Sequence, residues 1–242
     1  MVIERGHTRV AIVAVDFLGF PSVLGDKVRA LVADIPENHI LIGASHTHSA
    51  PDCYGVPGED GKSGCDLQYL DRVCALIAKA LLEALDSLAP ATLKIGTGEA
   101  KGKIAFNYYA DELYDPRCSV IQAIGINDNI IGILVNYAIH PEVLGPKQGV
   151  VNPDLIGPLR DRIETETQGM AMFINGPQGG MVTADVRRPD GAHEQTWEEC
   201  QRIGDLLVRE ALRIVSQARI QKDPILRCHT RDVRFPIDTP LC

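Results

Sequence analysis

Residues 9–51, RVAIVAVDFLGFPSVLGDKVRALVADIPENHILIGASHTHSAP, decide the fold. Residues 9–16 form a near-continuous run of β-branched and small apolar side chains, the composition of a strand covered on both faces. A helix follows, capped by Ser22 and reaching Asp34. Residues 39–44, HILIGA, make a second apolar run that stops abruptly at SHTHSAP. Strand, helix, strand in this order predicts parallel pairing through a right-handed crossover.

The pattern continues outward. After a Gly-rich loop at 54–64, Asp66 caps a helix in which Leu67, Leu70, Cys74, Ile77, Leu81 and Leu85 recur at three- and four-residue spacing, one apolar stripe to lay on the sheet. Residues 92–98 read as a strand, and 118–126 and 130–138 flank the turn formers Asn127, Asp128 and Asn129 as a hairpin. Helices are expected at 154–168 and 194–217, a short strand at 170–174 and a last strand at 225–235. The expected class is α/β, a mixed, mostly parallel sheet flanked by helices, in a single domain over residues 1–242.

A chain of 242 residues buries about 70% or more of its unfolded surface, so neither disulfides nor a metal is needed merely to fold it. The 24 Lys+Arg against 32 Asp+Glu give a formal charge of −8, and no three basic residues are consecutive, which argues against nucleic-acid and membrane-surface partners. No stretch approaches the roughly 18 apolar residues of a spanning helix. Residues 1–9 lack the apolar core of a signal peptide, so the expected location is cytoplasmic by default, or secreted if a leader has been removed. Seven cysteines without a CxxC pair fit neither a disulfide framework nor a zinc ribbon; Cys53, close to the histidine motif, is the one to test as a nucleophile.

Three polar or glycine-rich loops directly follow predicted strands: SHTHSAPDCYG, HPEVLGP and NGPQGG. Open α/β sheets place ligands at the carboxyl ends of their strands, where loops converge over a rigid platform. His46 and His48, two residues apart, project to the same side in extended backbone and can reach one ion. His140 precedes Pro141, which holds it extended at its strand end. Zinc takes imidazole nitrogen well, and a catalytic site needs three or four protein ligands with one position left for water. The loop from Asn175 to Gly180 is read either as a turn or as a close backbone approach whose N–H groups polarise a carbonyl.

With these residues assembled, the sequence resembles the neutral/alkaline, non-lysosomal ceramidase family. Residues 16–19 (DFLG) resemble the end of that family's first buried strand, 45–51 (SHTHSAP) its HTHSGP motif, and 136–141 (NYAIHP) its N-x-x-x-HP segment. Phe173, Ile174, Asn175 and Gly176, with Gln178 and Gly179, resemble its N-G-x-x-G-D loop. The resemblance implies zinc held by His46 and His140, with His48 beside the metal orienting substrate or stabilising charge. It implies substrate contacts from Asn175, Gly179 and Gly180, and hydrolysis of an N-acyl amide bond in ceramide or a related lipid amide.

The chain departs from the family at three places. Gly180 and Val182 stand where an Asp and a Ser are expected, with Thr183 one position along; Asn107-Tyr108 stands for an Asn-Arg pair; and the remaining zinc ligands, a Glu and a Tyr, come from beyond the matched segment. The expectation is therefore an amino-terminal catalytic region incomplete at both ends, with Asp185, His193 or Glu194 as in-chain substitutes for the missing ligands. Two competing readings are a metal-independent hydrolase using Ser49 or Cys53 with His48 as base, and a non-catalytic domain that keeps the fold without the full ligand set.

Overall fold

The computed structural model describes residues 1–231, 233, 234 and 236. Strand β1 (Val2–Arg5) turns through Gly6, at φ +61°, into β2 (Thr8–Val15), and the two pair antiparallel. Helix α1 (Ser22–Ala30) carries the chain over to β3 (Ile40–Ala44), which pairs parallel with β2 as the strand, helix, strand order requires. Ser22 is the first helical residue rather than the cap. Pro21 precedes it, and the Pro21 carbonyl accepts from the Leu24 and Gly25 N–H groups. Helix α2 (Leu67–Asp86) begins as its sequence signals, with the Asp66 carboxylate accepting from the Tyr69 N–H. Its buried stripe of Leu70, Cys74, Ile77, Ala78 and Leu81 packs with Ala11, Val28 and Ile40 as one core.

The second sheet has the order β4 (Ala91–Glu99), β6 (Arg117–Gly125), β7 (Ile130–Tyr137), β8 (Met170–Asn175). The 127–129 turn makes β6 and β7 an antiparallel hairpin, while α3 (Ile156–Thr167) returns the chain so that β8 runs parallel to β7. Helix α4 (Trp197–Gln217), capped by the Thr196 hydroxyl, crosses α3 at Gly204, where a Cβ would lie 2.9 Å from the Leu155 carbonyl oxygen. A second core fills the space between α3, α4 and this sheet, with Val120, Ile133, Leu159, Phe173 and Leu207 at its centre.

Three short strands escape the sequence reading, β1 and two more. β5 (Ala105–Asn107) and β9 (Val182–Ala184) pair antiparallel; each has three residues, too few to show a period. The α/β class holds, with mixed sheets and flanking helices, although antiparallel pairs outnumber parallel ones among the described residues. The antiparallel pairs are the hairpins β1–β2 and β6–β7, the edge pair β4–β6 and the short ribbon. The strand expected at 225–235 is absent among the described residues. Ile220 forms one isolated bridge with Lys94, and residues 224–231 then leave the sheet as irregular chain; Asp232 and Phe235 lie outside the described residues.

β3 lies beside β8, where Gly43 gives room for Ile174; a Cβ there would come within 3.0 Å of it. The carboxyl ends of β3, β7 and β8 thus meet at the seam between the two cores. No helix among the described residues is long and apolar enough to cross a membrane.

Candidate metal centre

Three imidazoles meet at this seam. The residues after β2 supply the frame for the first: the His46 N–H donates to the Phe17 carbonyl and its Nδ1 to the Leu18 carbonyl. An Nδ1 that faces a carbonyl oxygen must carry the ring proton, which leaves the Nε2 lone pair free. His46 is not extended, as its spacing from His48 had suggested, but sits at φ +67°. Both rings nevertheless converge, because Thr47 between them is buried and its hydroxyl donates to the Asn152 carbonyl at 2.8 Å. His140, at the end of β7, is fixed by β9: its backbone N–H and its Nδ1 both reach the Val182 carbonyl, at 2.9 and 2.7 Å. Its Nε2 is likewise left free.

The nitrogens of His46, His48 and His140 lie within 4.8 Å of one another, and Nε2 of His46 is 3.4 Å from Nε2 of His48. Two nitrogens bound to one tetrahedral zinc at about 2.0–2.1 Å are separated by about 3.3–3.4 Å, the spacing of the His46–His48 pair, with a nitrogen of His140 within 4.8 Å of both. Behind His48, a carboxylate oxygen of Glu142 lies 3.4 Å from Nδ1, and the other accepts from the Thr183 hydroxyl at 2.8 Å. Glu142 carried no signal of its own in the sequence beyond following HP, and Thr183 stood out only as the hydroxyl one position past the expected Ser.

Burial lowers the pKa of His46, against the opposing pull of the Leu18 carbonyl and with the help of the neighbouring imidazoles. Burial also lowers that of His48, with Glu142 opposing. The fold therefore favours the neutral rings that a metal needs. A depressed histidine binds fewer protons folded than unfolded, so its contribution to stability is present above the ordinary value of about 6.5 and is lost as pH falls through it. Metal-free protein should unfold at progressively lower temperature as pH falls below about 6.5, and a His46→Gln, His48→Gln double variant should show a shallower dependence. An unchanged slope in the double variant would assign the effect to other groups.

The remaining expected site residues take other places. Asn175 is a bracket rather than a free amide: its Nδ2 donates to the carbonyls of Ser45 (2.8 Å) and Ile139 (2.6 Å), and its Oδ1 accepts from the Ile139 N–H (3.1 Å). It thus ties together the residues that immediately precede His46 and His140. Gln178 also donates to the Ile139 carbonyl. Gly176 passes so close to β7 that a Cβ would be 3.0 Å from the Ala138 nitrogen. Gly179, at φ +56°, and Gly180 face open space.

The candidate substitute ligands lie elsewhere. Asp185 is held by a fork of hydrogen bonds from Arg187, and Glu194 pairs with Arg188. His193 pairs with Arg187 across a separate hairpin. Asn107 is buried in β5 and braces its own turn through the Tyr109 and Ala110 N–H groups and the Leu113 carbonyl. Ser49 makes no hydrogen bond to His48 among the described residues, and burial pushes the Cys53 thiol up, away from the thiolate a nucleophile needs.

A cavity of about 690 Å³ adjoins His48, walled by Leu18, Pro51, Cys53, Val56 and Pro57. The loop after Pro51 builds this cavity rather than blocking it. The Asp52 carboxylate accepts from the Tyr54 and Val56 N–H groups, and Pro57 bridges to Ser63.

No protein-family model matches the chain, and no curated protein matches it in sequence. Its fold is shared with solved structures of ceramidases. The crystal structure of neutral ceramidase from Pseudomonas aeruginosa superposes with a TM-score of 0.76 at 19% identity, over 88% of this chain. A ceramidase complexed with C2 gives the same score and identity over 89% of it. The chain spans 37% and 38% of the length of those two proteins.

Proposed function

We propose that the protein is a zinc-dependent hydrolase of an N-acyl amide, ceramide or a related lipid amide, with His46 and His140 holding the metal. The observation that carries this reading is the convergence of three imidazole nitrogens at the carboxyl ends of β3 and β7, on the edge of a partly apolar cavity. When bound, zinc supplies Lewis acidity towards a water and towards the amide carbonyl.

The chain's own residues do the rest. The carbonyls of Leu18 and Val182 keep the ring protons of His46 and His140 on Nδ1, so each Nε2 stays available. His48, the imidazole that lines the cavity, meets the substrate and orients it. The backbone at Gly179 and Gly180, open and free of side chains, lets main-chain N–H groups approach the carbonyl as charge develops on it. The apolar wall of Leu18, Pro51, Val56 and Pro57 takes the acyl chain. Thr183, whose hydroxyl is committed to Glu142, does not replace the Ser absent at Val182.

N-acyl amides of graded chain length, from short fluorogenic amides to ceramide, are the test. Turnover should fall by about tenfold or more on chelation, a loss of about 1.4 kcal/mol or more of transition-state stabilisation, and return with zinc. Turnover that resists chelation would favour a Ser49 or Cys53 nucleophile, and failure to cleave any amide would overturn the proposal.

A further inference from the structure

We propose that Glu142, itself held by Thr183, is a positioning residue that presents Nε2 of His48 as a third nitrogen donor beside His46 and His140. The inference rests on the metal reading above and changes the place that His48 takes in it, from substrate contact to ligand.

Distance comes first. The 3.4 Å between the Nε2 atoms of His46 and His48 is the spacing of two nitrogens on one tetrahedral ion with arms of about 2.0–2.1 Å. The three rings also share one arrangement. An oxygen stands behind each Nδ1: the Leu18 carbonyl hydrogen-bonded to His46, the Val182 carbonyl hydrogen-bonded to His140 at 2.7 Å, and the Glu142 carboxylate in a longer charge contact of 3.4 Å with His48. An acceptor at Nδ1 fixes the tautomer and aims the opposite nitrogen, the usual second partner of a metal-bound imidazole.

Glu142 is itself fixed by local geometry. Pro141 turns the chain so that the Glu142 N–H donates back to the His140 carbonyl at 3.1 Å, and the Gly145 N–H closes onto the Glu142 carbonyl. Thr183 then holds the carboxylate, and Thr183 adjoins Val182 on β9. One three-residue strand therefore serves two of the three imidazoles, His140 directly and His48 through Glu142. Among the described residues, no Lys or Arg forms a salt bridge with Glu142, so its charge is not diverted from the ring.

Zinc affinity, measured by competition with a chromogenic chelator, tests this on the full chain. Glu142→Ala should weaken binding about 10–100-fold, as loss of an outer-shell partner does elsewhere, and Thr183→Val should weaken it in the same direction by less. Glu142→Gln should restore most of the affinity, since an amide oxygen can still accept from Nδ1. His48→Ala should weaken it at least as much as Glu142→Ala.

Nitrogen-15 spectra of the metal-free protein supply a readout that a general loss of stability would not move. His48 should pass from the Nδ1-protonated form to a tautomer mixture in Glu142→Ala, while His46 stays unchanged. Wild-type affinity in His48→Ala or in Glu142→Ala would overturn the proposal and leave the metal at His46 and His140. Wild-type affinity in His46→Ala would overturn the metal reading itself, a separable result. If Glu142→Ala fails to fold, Thr183→Val and Glu142→Gln decide through the same two measurements.

Discussion

Alanine at His46 or at His140 should abolish zinc retention during purification and weaken the equilibrium affinity by about 100-fold or more. The magnitude follows from scale: four-ligand protein zinc sites bind with roughly 10–16 kcal/mol, so each ligand accounts for about 3 kcal/mol, or two orders of magnitude. The two variants should differ in stability. His140 is 8% exposed and its ring sits on β9 through the Val182 carbonyl, so truncation leaves a hole in the β7 to β9 junction. His46 is more open, and its loss frees mainly the Leu18 carbonyl. His193→Ala is the control, since that ring lies on the separate 187–193 hairpin and should leave zinc content unchanged. Equal zinc content in wild type and His46→Ala, measured by elemental analysis, would remove the ligand assignment.

Asn175→Ala should give the largest loss of stability caused by a single polar side chain near the site, about 2–4 kcal/mol. Its amide satisfies the Ser45 carbonyl and both backbone groups of Ile139, and each group left without a partner costs about 1–3 kcal/mol, with Gln178 retaining part of the Ile139 interaction. For a chain of this size the melting midpoint should fall by about 5–15 °C. Zinc affinity should fall as well, because the residues released are those next to His46 and His140. Asn175→Asp sharpens the test. It keeps the shape but sets a carboxylate oxygen against two carbonyl oxygens, so thermal unfolding should show it no better than alanine. Wild-type stability in Asn175→Asp would mean that the bracket holds nothing.

Much of this was legible in the sequence because it rests on long periods and on single residues with one strong preference. The β2, α1, β3 unit is written in its apolar runs, α2 in its stripe and its Asp66 cap, and the convergence of the histidines in SHTHSAP and HP following separate strands. What stayed hidden depends on contacts between distant segments. Three-residue strands such as β9 have no readable period, yet β9 supplies the Val182 carbonyl and the Thr183 hydroxyl. Glu142 reads as an ordinary loop acid until the fold brings His48 against it. Asn175 has the amide of a substrate-binding residue, and only the meeting of β3 and β8 shows that its hydrogen bonds are already taken. The DFLG segment after β2 matters through backbone carbonyls, which no side-chain pattern reveals.

His46 also stands at φ +67°, in the left-handed region where a side chain other than glycine carries a penalty of about 1 kcal/mol. Folding alone would prefer glycine or asparagine there. Glycine at this position should therefore relieve the backbone while removing the ring, so the residue that suits the fold best there is not the one that puts an imidazole beside His48 and His140.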